Sequence, residues 1–337
     1  MQFLGELGFF LIDQIKINNV KKYFALSSFI FVLMACNQND GKLKYDEATT
    51  RGNIKVAADD SYRLLMQTQS ETFMGIYNYA KIEVIYGAEG DIMPMLLDDS
   101  VRFVVISREL NEQESKALAS QKIFPKTYKI AYDALAFIVN KENADTNFTY
   151  NQLSQLFTSK DTAVKWSAIS EDNKELKDKS VQVVFDHPKS GNARSVKETF
   201  KIDQLPVFCY AVNSNQQVID YVEKNKNAIG VIGVNWISDS ADSVSQSFLS
   251  SIKVVSVSSQ DDADGKNGFY KPYQAYLATK EYPFSRPVNL ILREPFSGLG
   301  TGFGSFISGD KGQRIVRLSG LLPANVPIRL VETRSNN

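Results

Sequence analysis

The chain has 337 residues, 38 basic and 38 acidic side chains, one histidine and two cysteines, so its formal net charge is zero and 43% of it is hydrophobic. No basic excess or stripe is present to meet a polyanion, which argues against a nucleic-acid partner. One histidine and two cysteines cannot build a His/Cys cluster with metal-ligand spacing, so no metal or other cofactor is expected.

The first element is a leader. Lys21-Lys22 form a positive n-region, Phe24 to Leu33 an apolar h-region, and small Ala35 precedes Cys36, the anatomy of a bacterial lipoprotein signal cut before a lipidated cysteine. The apolar run is shorter than the roughly 20 residues a helix needs to span a bilayer. On this reading residues 1–35 are removed, and residues 1–19, which add a second apolar stretch, lie upstream of an alternative start at Val20. Cys36 anchors the protein to a membrane of the cell envelope, facing the periplasm. Residues 36–51 form a polar, flexible tether. With Cys36 lipidated, Cys209 has no intramolecular disulfide partner and is expected in buried packing between Phe208 and Tyr210.

About 300 residues remain, enough for two cores. Ile54 to Ala57 predicts a strand. Tyr62, Leu65, Met66, Phe73, Ile76 and Tyr77 follow at helical spacing on one face, with Asp60 or Ser61 as N-cap. Ile82 to Tyr86 predicts a strand, Asp91 to Leu97 a short helix, Phe103 to Ile106 a third strand and Asn111 to Ala119 a helix. This β-α alternation favours parallel strands with helices on both faces. A second unit opens near Asp133 with the apolar strand Ala134 to Asn140. Its grammar is the same: helix 151–156, strand 181–185, helix 193–200, helix 216–222 and strand 228–232. The polar run Ser258 to Gly265 marks a boundary. Beyond it, Tyr273 to Ala278 alternates like a strand, Val288 to Leu292 is a strand, and a helix closes through Ile315 to Leu318. The expected fold is α/β with two lobes, each a mixed sheet flanked by helices: residues 52–133 as lobe 1, 134–268 as lobe 2, and 269–337 returning to lobe 1. Two crossings make a hinged clamshell with a cleft for a small ligand.

Catalytic equipment is sparse. His187 would have to serve any Ser-His-Asp system, yet no Gly-x-Ser-x-Gly elbow occurs, and a loop histidine before Pro188 has no partners in the sequence. No enzymatic role is expected. Gly298-Leu299-Gly300-Thr301-Gly302-Phe303-Gly304 matches neither a dinucleotide nor a Walker loop and reads as a flexible turn feeding a helix. Three strand-to-helix junctions place small polar residues and backbone N–H groups where anions are stabilised: Asp60-Ser61, Ser107-Arg108 and Ser190-Gly191-Asn192. Taken singly, each is also an ordinary N-cap. Arg108 adds a planar fork suited to an oxyanion.

In that order the segments resemble the phosphate-binding solute receptors of ABC importers, the PstS-like family. The likeness covers roughly residues 52–330 and rests on strand-Asp60-Ser61-helix, Val105-Ile106-Ser107-Arg108-Glu109-Leu110, Phe185 through Ser190-Gly191, Asn227 to Gly233, and Gly312-Gln313-Arg314-Ile315-Val316 to Ser319-Gly320-Leu321-Leu322-Pro323. The resemblance implies a two-lobed periplasmic-binding-protein fold, a monomer that holds phosphate or a similar oxyanion between its lobes, and delivery to ABC permease subunits. It assigns ligand contacts to Ser61, Ser107, Arg108, Ser190 and Gly191. The third loop departs from the pattern: many relatives have an arginine four residues before the serine and a threonine after the glycine, where this chain has Asp186 and Asn192. Arg194 could swing in as a substitute or face solvent. Asp60 or Asp186 could accept the proton of monohydrogen phosphate and repel sulfate, or merely cap helices. A receptor or sensor uncoupled from transport is the alternative, and a phosphate-ester hydrolase a weaker one.

Overall fold

The computed structural model describes residues 47–170, 173–238 and 243–325. The residues read as a leader, Cys36 and most of those read as a tether lie outside the described residues. The strands are β1 Gly52–Asp59, β2 Ala80–Gly87, β3 Phe103–Ile106, β4 Lys126–Asn140, β5 Asn147–Phe148, β6 Gln182–Phe185, β7 Cys209–Ala211, β8 Ala228–Gly233, β9 Ile252–Val254, β10 Ser256–Val257, β11 Ser285–Leu292 and β12 Leu322–Pro323. The helices are α1 Arg63–Ile76, α2 Glu89–Leu97, α3 Glu112–Ser120, α4 Tyr150–Thr158, α5 Gly191–Phe200, α6 Asn215–Lys224, α7 Ser243–Ser251, α8 Gln274–Ala278, α9 Leu299–Ser308 and α10 Asp310–Leu318.

One long strand organises the sheet. The path runs β2-β1-β3-β11-β4-β8-β6-β7. β4 pairs antiparallel with β11 from Lys126 to Ala134, then with β8 from Leu135 to Val139. The partner switch falls at Ala134/Leu135, so the two halves of the sheet are connected here by a continuous strand rather than a loop. Its apolar part, Ala134 to Val139, is fully buried, which explains the unbroken hydrophobic run. On one side β1 pairs parallel with β2 and β3; on the other, β6 pairs parallel with β7 and β8. The carboxyl ends of these parallel strands therefore open toward the same region, where open α/β sheets receive ligands.

Local signals account for most of the elements. Asn111 and Glu114 form a reciprocal capping box at the start of α3, and Thr149 with Gln152 does the same for α4. Five expectations are corrected. The cap of the first helical segment is Asp59, whose Oδ1 accepts the Ser61 N–H at 3.0 Å; Asp60 and Ser61 lie inside the 3-10 turn Asp60–Tyr62 that precedes α1. Leu65, Met66 and Phe73 are buried as expected, but Ile76 at the end of α1 is 41% exposed. Tyr273 to Ala278 is no strand: α8 forms there, the Leu277 N–H donating to the Tyr273 carbonyl and Gln274 Nε2 donating to the carbonyls of Arg317 and Leu321. Tyr273, Tyr276 and Leu277 stand at i, i+3 and i+4, the helical spacing, which the apparent alternation of so short a segment obscures.

The fourth correction concerns the glycine-rich run. It is helical from Leu299 onward as α9, and Gly298, Gly300 and Gly302 serve close packing, not flexibility. A Cβ at Gly302 would stand 1.8 Å from the Thr49 carbonyl oxygen. Residues 47–51, read as part of the spacer, are correspondingly packed down: Ala48 and Arg51 form a β-bridge, Glu47 Oε2 accepts from Arg102 Nη2 at 3.1 Å, and Glu47 Oε1 accepts the Leu299 N–H at 3.1 Å.

Candidate functional site

The site assembles at the carboxyl ends of β1, β2, β3 and β6. Ser107 follows β3 and is buried; Arg108 follows it. Arg108 is oriented by the helix that comes next. Its Nη1 and Nη2 donate to the two oxygens of Glu114 at 2.6 and 2.8 Å, and the same Glu114 closes the capping box of α3. A helix-start carboxylate thus fixes the fork of the arginine, leaving Nε to point inward. Burial alone would lower the Arg108 pKa, but Glu114 and Glu89 outweigh it and the guanidinium is held more firmly charged than usual.

Arg194 enters from the helix that follows β6. It projects from the first turns of α5, and its Nη2 donates to Ser107 Oγ at 2.6 Å, across 87 residues of sequence. Nη1 is braced by Glu198 one turn on, at 2.6 Å. The question left by the sequence, whether Arg194 turns inward or to solvent, is answered: it turns inward. Both arginines reach Glu89, the first residue of α2. Arg108 Nε lies 2.7 Å and Arg194 Nε 2.8 Å from Glu89 Oε1, while Arg194 Nη2 and Ser107 Oγ donate to Oε2 at 3.2 and 3.3 Å. Burial pushes the Glu89 carboxyl up, but Arg194 and then Arg108 pull it down further, so its pKa is lowered overall.

A second carboxylate occupies the backbone donors. Asp59 Oδ2 accepts the N–H groups of Glu89 at 3.0 Å and of Gly191 at 3.1 Å, which begin α2 and α5. Burial, and next the charge of Glu89, raise the Asp59 pKa. Gly191 is required by proximity: a Cβ there would lie 2.7 Å from Ser107 Oγ and 3.2 Å from Glu89 Oε2.

The remaining residues singled out by sequence sit beside this cluster. Ser190 Oγ caps α5 by accepting the Ala193 N–H at 3.2 Å. Ser61 Oγ donates to Asn192 Oδ1 at 3.3 Å, joining the first and third junctions. Asp60 is tied on both oxygens, Oδ1 to Arg63 and Oδ2 to the backbone and side chain of Asn215 at 2.9 and 3.0 Å. Asp186 is buried, with Oδ2 accepting from Asn215 Nδ2 at 3.1 Å and Oδ1 lacking a hydrogen-bond partner. Burial, reinforced by the charge of Asp59, pushes Asp186 up to about 7. His187 stands apart from the serines: its Nδ1 accepts the Lys189 N–H at 3.1 Å and its Nε2 is 3.8 Å from Asp91. Cys209 is partly buried, and burial pushes its thiol up to about 12.

Behind the cluster, Arg286 on β11 grips Asp133 on β4 through Nε at 2.9 Å and Nη2 at 2.7 Å, and Nη2 also donates to Asn192 Oδ1 at 2.8 Å. Glu89, Asp59, Asp133, Asn215 and Arg286 are the residues the sequence reading missed. Glu89 had a visible signal: Gly87-Ala88-Glu89-Gly90 is a fourth strand-to-helix junction of the kind that marked the other three. Arg286 had a weaker one, a charge two residues ahead of the apolar run Val288 to Leu292.

Comparison with known proteins agrees with the geometry. The family model described as "PBP superfamily domain" matches residues 44–311. Among curated relatives, the phosphate-binding protein PstS of Staphylococcus epidermidis is 23% identical over 84% of this chain and 82% of its own. The protein of that name from Pseudomonas aeruginosa is 23% identical over 86% and 88%. Among solved structures, a putative phosphate ABC transporter substrate-binding protein with bound phosphate from Clostridium perfringens superposes with a TM-score of 0.66 at 23% identity, covering 81% of this chain and all of that one. With β4 shared between the β11 and β8 sides of the sheet, the junction residues converging at the carboxyl ends of the parallel strands, and a family model matched over residues 44–311, the chain belongs to the PBP superfamily.

Proposed function

We propose that this protein is the phosphate-binding receptor of an ABC importer, taking inorganic phosphate between its lobes and presenting it to a permease. The observation that carries the reading is the convergence of Ser107, Arg108 and Arg194, a hydroxyl and two guanidinium groups from both lobes, beside the N-termini of α2 and α5. Such a set is matched to a tetrahedral oxyanion, which can accept from every donor at once. The names of the curated relatives support phosphate as that anion. Asp186, with one buried oxygen unpartnered, is a carboxyl suited to the ligand's proton. The ligand contacts are Ser61, Ser107, Arg108, Ser190, Gly191, Asn192 and Arg194, with Asp60 and Asp186 lining the site. Lobe boundaries lie near residues 133, 268 and the first strand.

The receptor works as a monomer in the cell envelope, held to the membrane by a lipid on Cys36, and carries out no catalysis. A second reading, an oxyanion sensor uncoupled from transport, is favoured by Asp186 and Asn192, which stand where the family pattern has arginine and threonine. Calorimetric titration of phosphate into the wild type, Ser107→Ala and Arg108→Ala tests the main reading. Each lost charge-assisted hydrogen bond should weaken affinity about 10-fold to 100-fold. Unchanged affinity in both variants would remove this site.

A further inference from the structure

Glu89 holds the donors that an oxyanion would need. Its Oε1 accepts from both guanidinium Nε atoms at 2.7 and 2.8 Å, and its Oε2 accepts from Arg194 Nη2 and Ser107 Oγ. The side chain is only 3% exposed, so this is a buried ionic cluster, not a surface contact. The backbone donors at the starts of α2 and α5 are likewise taken, by Asp59. Side-chain and backbone halves of the anion site are each satisfied by a carboxylate of the chain itself.

We propose that Glu89 is an internal anion that competes with the ligand for Arg108, Arg194 and Ser107, and so sets the threshold concentration at which the receptor fills. The inference rests on the oxyanion reading above and deepens it. Three features support competition over a purely structural ion pair. First, the position is a ligand's position: Glu89 bridges α5 of one lobe to the Ser107 junction of the other, as a bound anion would. Secondly, the charges leave no room for both. Arg108 and Arg194 are faced by Glu89, Glu114 and Glu198, three carboxylates against two cations. A doubly charged anion added to that set meets net repulsion until Glu89 leaves. Thirdly, Glu89 occupies the first position of α2, so swinging its side chain to another rotamer breaks no hydrogen bond of the helix.

The consequence follows from linkage: the apparent dissociation constant is the intrinsic one divided by the fraction of molecules whose site is vacated by Glu89. A receptor with an internal competitor responds at higher ligand concentration than its donor set alone would dictate. The pair Glu89–Arg194 also bonds the lobes together, so Glu89 acts as a latch as well as a competitor.

The test is phosphate titration by calorimetry of the wild type, Glu89→Gln, Glu89→Asp and Arg194→Ala, each checked for folding by circular dichroism melting. Glu89→Gln keeps the shape and removes the charge; Glu89→Asp keeps the charge but draws the carboxylate back from both arginines. We expect Glu89→Gln to bind phosphate at least about 10-fold more tightly than the wild type, Glu89→Asp to shift in the same direction by less, and Arg194→Ala to lose binding. Equal or weaker binding in both Glu89 variants, with binding still lost in Arg194→Ala, overturns the competitor and leaves the receptor reading standing. Absence of phosphate binding in all four folded proteins overturns the receptor reading and the inference with it.

Discussion

Arg194 Nε lies 2.8 Å from Glu89 Oε1, and this contact joins the start of α5 to the start of α2 across 105 residues of sequence. The same guanidinium reaches Ser107 Oγ, so one side chain touches the second and fourth strand-to-helix junctions while growing from the third. Replacing Arg194 with lysine should therefore not be conservative. A lysine carries the charge but only one compact donor group and no planar fork. Phosphate affinity in Arg194→Lys is expected to fall about 10-fold or more, with the thermal midpoint little changed; affinity equal to wild type would show that the fork is not used.

The buried pair Asp133–Arg286 sits where β4 exchanges β11 for β8. Asp133 is fully buried and Arg286 is 6% exposed, so removing one partner strands an uncompensated charge in the core. Asp133→Ala should destabilise the fold by about 3–5 kcal/mol, whereas replacing both residues together with apolar ones of similar volume should cost far less. Urea denaturation of the single and double variants measures this, and equal losses in both would argue against the stranded-charge explanation.

Glu294 is the structural counterpart of the site carboxylates. Its two oxygens accept the N–H groups of Gly298, Gly300 and Thr301 and the Thr301 hydroxyl, closing the N-terminus of α9 from within. Glu294→Ala leaves those buried donors without partners and should cost about 2–4 kcal/mol in denaturant titration, with phosphate affinity unaffected. A loss below about 0.5 kcal/mol would mean that water replaces the carboxylate at that helix start.

Asp186 gives the account a pH signature. Its folded pKa is raised to about 7 from an ordinary 3.8, because burial and the neighbouring Asp59 charge disfavour the ionised form. The folded state thus holds a proton that the unfolded state has released, and stability falls as pH rises from about 4 to about 7, then levels off. Asp186→Asn should remove part of that slope and stabilise the protein at neutral pH by an amount on the order of a few kcal/mol relative to wild type. Glu89 pulls the other way, its depressed pKa adding stability that is lost only on acidification. Denaturation midpoints of the two proteins across pH 4–8 decide the matter: parallel curves would place the proton elsewhere.

What was legible in the sequence was what is local. Phe103 to Ile106 is a strand at the bounds its apolar run indicates, and the helix expected from Asn111 starts at that residue's cap, since each signal is read within one turn of chain. Ser107, Arg108 and Ser190 were legible for the same reason. Tyr273 to Ala278 was misread because six residues hold too little of either period to distinguish them. Gly298 to Gly304 was misread because Gly302 answers to Thr49, some 250 residues earlier. Glu89 and Arg286 belong to partners 105 and 153 residues away, and their role is a property of tertiary packing.

The central claim is that Ser107, Arg108 and Arg194 together receive an oxyanion between the lobes. A crystal structure of the protein grown with phosphate tests it most directly. The account predicts one phosphate within hydrogen-bond distance of Ser107 Oγ and both guanidinium groups, with the Glu89 carboxylate moved off Arg108 and Arg194. Phosphate bound elsewhere, or the Glu89 pairing to both arginines intact with no anion beside Ser107, would contradict it.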